Sequence, residues 1–217
     1  MADAPMFNYI RDPQEIYRRS FATLRAEADL SGLPDGVDTL AERLIHACGM
    51  PDVLDDFAFA GNPAQAGGDA LAAGAVVLTD AEMVRSGIIK SRLPADNTLI
   101  CTTHSPVAME VSVDKQTTRS AAAVEQWEPY LDGAVVVIGN APTALFRLLE
   151  MLIDGAPKPA VILGFPVGFI GAAESKEALI VHAGDIPYAT VRGRRGGSAM
   201  ASGALNAIAG LCEKELA

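Results

Sequence analysis

Apolar residues recur at helical spacing along the first quarter of the chain. Tyr17, Phe21, Leu24 and Ala28 fall at i, i+4, i+7 and i+11, a stripe that predicts an amphipathic helix. Asp12 is placed to cap its start, with Pro13 at the first helical position and Glu15 three residues after the cap. A second helix is predicted over Val37 to Cys48. Val37, Leu40, Ala41, Leu44, Ile45 and Cys48 fall on one narrow face when each residue turns about 100°. Gly49 and Pro51 end it.

From Asn62 the period changes. Asn62-Pro63 opens a helix that runs to about Ala73. Five short, nearly continuous apolar runs follow: AVVLTD at 75–80, TLICTT at 98–103, AVVVIGN at 134–140, AVILGF at 160–165 and YATVRG at 188–193. Such runs suit parallel strands buried on both faces. Helical stretches separate them, notably 120–131, 142–152, 174–183 and 198–211. The expectation is an α/β fold: one domain over 1–217, with a doubly wound, mostly parallel five-stranded sheet. Residues 1–60 form its helical N-terminal part and 61–217 its sheet core.

Composition narrows the class. Half of the 217 residues are hydrophobic and 20% are charged, which excludes an intrinsically disordered chain. Cys48, Cys101 and Cys212 lie far apart, with no CxxC and no zinc-like spacing. Free cysteines fit a reducing compartment, and a cytoplasmic protein is expected. The first twelve residues hold neither a basic region nor an apolar one, so no signal peptide is expected. The most apolar stretch, 160–173, is too short to span a bilayer and carries Pro166 and three glycines. Lys and Arg number 17 against 27 Asp and Glu, a net charge of -10. Nucleic acid and anionic membranes are poor partners for such a chain. A small anionic ligand fits if arginines and helix N-termini are concentrated in one place.

In a doubly wound sheet, ligands bind beyond the carboxyl ends of the strands. Those ends are rich in glycine here, as tight turns in any α/β protein require. The most specific is RGRRGGS at 192–198, with Arg192, Arg194 and Arg195 in an otherwise acidic chain. Arginine suits bidentate contact with carboxylate or phosphate. The loop is not a Walker A motif, and GFIGAA at 168–173 lacks the setting of a dinucleotide fingerprint. His46 lies about 180° from the apolar face of its helix, so it faces solvent, a ligand or another subunit. It also sits in the last turn, where the helix dipole favours the protonated imidazole, as a nearby anion would. His46 is therefore a candidate proton donor, although the same geometry describes an ordinary exposed histidine. His104 has only its place after a strand to recommend it, and His182 reads as structural. No GxSxG or HExxH motif occurs, and nothing in the sequence calls for a metal.

Six segments resemble one known family in order along most of the chain. They are YIRDPQEIYRRSFATLRAEADL at 9–30, RLIHACGM at 43–50, TRSAAA at 118–123, IGNAPTALFRLLEML at 138–152, PAVILGFPVGFIGAAESKEAL at 159–179 and VRGRRGGSAMASGALN at 191–206. The family is precorrin-8X methylmutase, of vitamin B12 biosynthesis. The resemblance implies a cofactor-independent homodimer with an α/β sheet. It also implies a methyl shift from C-11 to C-12 of the tetrapyrrole precorrin-8X, giving hydrogenobyrinic acid. The family's catalytic histidine falls on His46 and its substrate-contacting serine on Ser20. The substrate is an apolar macrocycle fringed with carboxylates, so Arg119, Arg192 and the backbone around Asn140 become candidate contacts. Three other readings remain: the cobalt-containing ring as substrate, a catalytically silent tetrapyrrole-binding protein, and a flavodoxin-like nucleotide binder.

Overall fold

The computed structural model describes residues 6–215. The leader-free reading of residues 1–5 lies outside them. In chain order the strands are β1 (Phe57–Ala60), β2 (Val77–Thr79), β3 (Leu99–Ile100), β4 (Val135–Ile138), β5 (Val161–Gly164) and β6 (Tyr188–Val191). The helices are α1 (Pro13–Glu27), α2 (Val37–Cys48), α3 (Pro63–Ala72), α4 (Glu82–Gly87), α5 (Pro106–Asp114), α6 (Arg119–Glu125), α7 (Pro142–Ile153), α8 (Ala172–His182) and α9 (Ser198–Glu215).

The strands of the described residues form one six-stranded sheet, in the order β1-β6-β5-β4-β2-β3. All five apolar runs are strands, and they are parallel to one another. Each is shorter than its run, because the flanking residues turn out of the ladder into loops. The sixth strand, β1, was not expected. It lies inside the stretch read as helical and pairs antiparallel with β6, with Phe57 opposite Val191. Its sequence, Phe-Ala-Phe-Ala, alternates large and small apolar side chains over only four residues, between Asp56 and Gly61. The stretch 120–131 is also broken: α6 ends at Glu125, and a separate 3-10 turn covers Glu128–Tyr130.

Alternation along each strand builds two cores. Val77, Val135, Val137, Val161, Leu163, Ala189 and Val191 point to one face and pack with α2 and α9 residues such as Leu40, Leu44 and Leu205. Leu78, Val136, Ile138, Ile162 and Tyr188 point to the other and pack with α7 and α8 residues such as Leu145, Leu148 and Leu179. The sheet is thus wound on both faces. Strand β2 leads outward to β3 at one edge, whereas β4 leads the other way to β5. The order therefore reverses between β2 and β4, and their carboxyl ends frame the crevice where such sheets bind ligands.

That crevice is narrow because α9 starts against it. A Cβ on Gly139, just past β4, would lie 2.6 Å from Ala201 Cβ, 2.9 Å from Val84 Cγ2 and 3.0 Å from Ser198 Cα. Gly139→Ala is therefore expected to destabilise the fold by about 1–3 kcal/mol through overpacking. A chain of this size should lose roughly 2–4 °C of melting temperature per kcal/mol. Thermal unfolding checks this; an unchanged midpoint would show that α9 yields freely.

Candidate active site

His46 sits in the last turn of α2, exposed, while Leu40, Ala41, Leu44 and Ile45 are buried against the core. Gly49 follows in the left-handed conformation (φ 68°) and its N–H bonds the Ile45 carbonyl, closing the helix. The neighbouring α1 fixes the imidazole. Ser20 Oγ lies 3.2 Å from His46 Nδ1. The Phe21 ring stacks on the imidazole, with centroids 4.8 Å apart and planes at 23°. His46 Nε2 has no hydrogen-bond partner among the described residues. Three further contacts hold α1 in place. Arg25 Nε donates to buried Glu42 at 2.5 Å. Arg43 donates to the Tyr17 hydroxyl and lies 4.7 Å from the Phe21 ring centre.

Beyond His46 the chain lines an apolar cavity of about 320 Å³. Its walls are Cys48 and Met50 after α2, Val167 to Phe169 after β5, Arg194 to Gly196 after β6, and Met200 of α9. Phe169 and Ile170 stand 85% and 91% exposed, unusual for large apolar side chains in a well-packed protein. Arg194 lies over the Phe169 ring, 5.3 Å from its centre, and makes no ion pair among the described residues. Apolar surface and a free guanidinium thus meet on one ledge.

The switch-point crevice forms a second cavity, of about 390 Å³, lined by Glu82, Met83, Thr103, His104, Arg119, Ser120 and Asn140 among others. Arg119 is exposed and unpaired among the described residues. The two cavities are joined through main chain. The Val167 N–H donates to the Asn140 carbonyl at 3.4 Å, and the Gly168 N–H to the Arg194 carbonyl at 3.3 Å. The Gly197 N–H donates to the Phe165 carbonyl at 2.8 Å.

The structure sorts the candidate residues into three places. It brings Ser20 and His46 together, and it brings Arg119 and Asn140 together with His104. Arg192 stands apart, in a two-pronged pair with Glu177 at 2.6 and 2.8 Å. Arg195 is likewise engaged, with Asp52 at 2.7 Å and Asp56 at 2.5 Å. Of the three loop arginines, Arg194 is the one without an acidic partner among the described residues. Reading the sequence did not single out Arg194, nor Phe169, Ile170 and Met200. The signal available was three arginines within four residues; which of them would find an acid depended on the distant Asp52, Asp56 and Glu177. Among the described residues no group of three or more His, Cys, Asp or Glu is placed to hold a metal ion, and no helix is long and apolar enough to cross a membrane.

A family model, described as precorrin-8X methylmutase, matches residues 15–211. The chain belongs to the precorrin-8X methylmutase family. A precorrin-8X methylmutase from Pseudomonas aeruginosa is 60% identical over 94% of this chain and 98% of its own length. One from Sinorhizobium is 54% identical over 94% and 98%. A cobalt-precorrin-8 methylmutase from Methanothermobacter thermautotrophicus is 34% identical over 91% and 92%. A solved precorrin-8X methylmutase from Thermus thermophilus superposes with a TM-score of 0.83 at 35% identity, covering 93% of this chain and 97% of that one. The chain is therefore an isomerase that moves a methyl group, with precorrin-8X methylmutase activity.

Beneath the methylmutase's arginine loop lies a buried lysine. Lys176 Nζ donates to the Arg195 carbonyl at 2.6 Å, and its burial pulls the ammonium down to about 8 from its ordinary 10.5, partly opposed by Asp56. The native state then releases this proton before the unfolded chain does, so Lys176 adds stability as pH rises from about 8 towards 10.5. Melting temperatures across that window should climb more steeply for the wild type than for Lys176→Met. Parallel curves would show that the lysine is not burdened by burial.

Proposed function

We propose that this chain moves the methyl group of metal-free precorrin-8X from C-11 to C-12, yielding hydrogenobyrinic acid, with His46 as proton donor. The observation that carries this reading is the mounting of His46. Its ring is clamped by Ser20 and Phe21, Nε2 has no hydrogen-bond partner among the described residues, and the same end of α2 lines an apolar cavity. The relatives named for the metal-free ring also share more of this sequence than the relative named for the cobalt ring.

The roles follow from chemistry. Protonation of the macrocycle by Nε2 polarises the conjugated system and lowers the barrier to migration. His46 then keeps its Nδ1 proton, which Ser20 Oγ accepts throughout the step. An isomerisation gains and loses no atoms, so the proton returns to Nε2 as the product forms. One well-placed acid contributes about 10²- to 10⁴-fold. The remainder comes from holding the ring in its reactive form. Phe169, Ile170 and Met200 offer it apolar surface. Arg194, Arg119 and the Asn140 side chain meet its carboxylates. Arg192 joins them by exchanging Glu177 for a substrate carboxylate, a swap between exposed partners that costs little. The backbone N–H groups around Asn140, expected from the sequence to meet carboxylates of the substrate, are taken by the Asp80 carboxylate. No cofactor is required by this scheme.

The chain is proposed to act as a homodimer in the cytoplasm. Support for pairing comes from Met6, Phe7 and Tyr9, which stand 90%, 69% and 62% exposed just ahead of α1. Light scattering of the full chain should return twice its 22.6 kDa mass; a monomer at all concentrations rejects the pairing.

His46→Ala should lower turnover by about 10²- to 10⁴-fold while its affinity for hydrogenobyrinic acid stays within a few-fold. The visible absorption of precorrin-8X added anaerobically reports both. Equal loss of turnover and binding would instead make His46 a binding or folding residue. Turnover of cobalt-precorrin-8 alone would move the chain to the cobalt-containing ring.

A further inference from the structure

Asp80 lies at the carboxyl end of β2, where the strand order reverses. It is almost fully buried. Its carboxylate accepts three consecutive backbone N–H groups from the turn after β4. Gly139 donates to Oδ1 at 2.9 Å, and Asn140 and Ala141 donate to Oδ2 at 3.0 and 2.7 Å. Its own carbonyl accepts the Thr103 hydroxyl at 2.7 Å. The residues directly after it, Ala81 to Met83, line the same cavity as Thr103, His104 and Asn140. One residue thus ties together three walls of the crevice.

Two features make this more than a generic turn. The helix that follows, α7, has Ala141 at its N-cap and no side chain of its own to cap it. Asp80 supplies the missing acceptor from another strand, where the positive end of the helix dipole favours a carboxylate. The cost is a buried acid: burial pushes the Asp80 carboxyl up, and the three N–H groups oppose that push. A neutral hydrogen-bonding residue would avoid the burial cost, but it could not receive three donors on two oxygens.

We infer that Asp80 is a positioning residue, which holds the 139–141 turn so that Asn140 and Arg119 receive a carboxylate of the substrate in the switch-point crevice. The inference rests on the proposed reading of Asn140 as a substrate contact. Asp80 touches no reacting atom, and His46 belongs to a different helix. Loss of the carboxylate should therefore weaken substrate capture and leave the chemical step largely intact.

The test is steady-state kinetics with precorrin-8X on the full chain, comparing Asp80→Asn, Asn140→Ala and the double variant. An asparagine keeps the size but turns an N–H₂ group towards a backbone N–H. Asp80→Asn is expected to raise KM about tenfold, the scale of one lost polar contact, with kcat within about threefold. Asn140→Ala should raise KM similarly, and the double variant should show no further increase, as expected for residues acting through one contact. If Asn140→Ala raises KM and Asp80→Asn does not, the inference fails and the reading of Asn140 stands. If Asn140→Ala leaves KM unchanged, both fail. KM increments that multiply in the double variant also overturn it. Should Asp80→Asn not fold, Asp80→Ser, smaller and with one acceptor, is read the same way. Failure of both to fold assigns Asp80 a purely structural role.

Discussion

The placement of His46 depends on how closely α2 lies against α9. Where the two helices meet, α9 carries a glycine, Gly203. At Gly203 even an added Cβ would come within 3.6 Å of Ala47 Cβ and 3.8 Å of the Arg43 carbonyl. A larger side chain there would lever α2 away from the sheet and carry His46 with it. The links in this chain of dependence differ in strength. Leu40, Leu44 and Ile45 are fully buried, and each is worth about 1.5–3 kcal/mol of burial. Helix α1 adds Phe21 and Leu24 to the buried set, and otherwise holds on through polar contacts such as Arg25–Glu42, whose arginine is exposed. Pairs of that kind are worth at most about 1 kcal/mol when solvent reaches them. His46 is thus firmly seated, whereas Ser20, its hydrogen-bond partner, rides on the weaker joint.

Charge is distributed so that the protein consumes most of its own cations. Arg195 closes onto Asp52 and Asp56 in the 3-10 turn after α2, and Arg192 onto Glu177 of α8. These pairs brace the glycine-rich loop against two separate elements. Gly196 completes the brace, since a Cβ there would meet the carbonyl oxygens of Phe165 and Pro166 at 2.4 Å. The loop therefore lies flush on its neighbour and presents Arg194 beside Phe169. A positive charge next to bare apolar surface suits a flat ring edged with acids, and it arises in a chain whose net charge is -10.

Much of this could be read from the residues. The strict face of α2 placed His46 outward, and the five apolar runs announced the parallel strands, because both patterns are set by local burial. The asparagine and aspartate caps of α3 and α1 also held. What escaped was set by partners remote in sequence. Strand β1 exists because β6 offers it an edge, not because Phe-Ala-Phe-Ala is a strong strand. The fates of Arg192, Arg194 and Arg195 were decided by acids 15 to 143 residues away. Asp80 looked like one polar residue ending a strand, and its three amide partners come from about 60 positions downstream.

The rims of the sheet carry a consequence for assembly. At one rim β3 offers only Leu99 and Ile100 to a neighbour; at the other, β1 offers four residues. Short rims of this kind offer a second copy little main chain with which to prolong the sheet. Twofold pairing of this chain through side chains on helices and loops would have each surface meeting its own rotated image. Such a twofold contact closes on itself and stops at two.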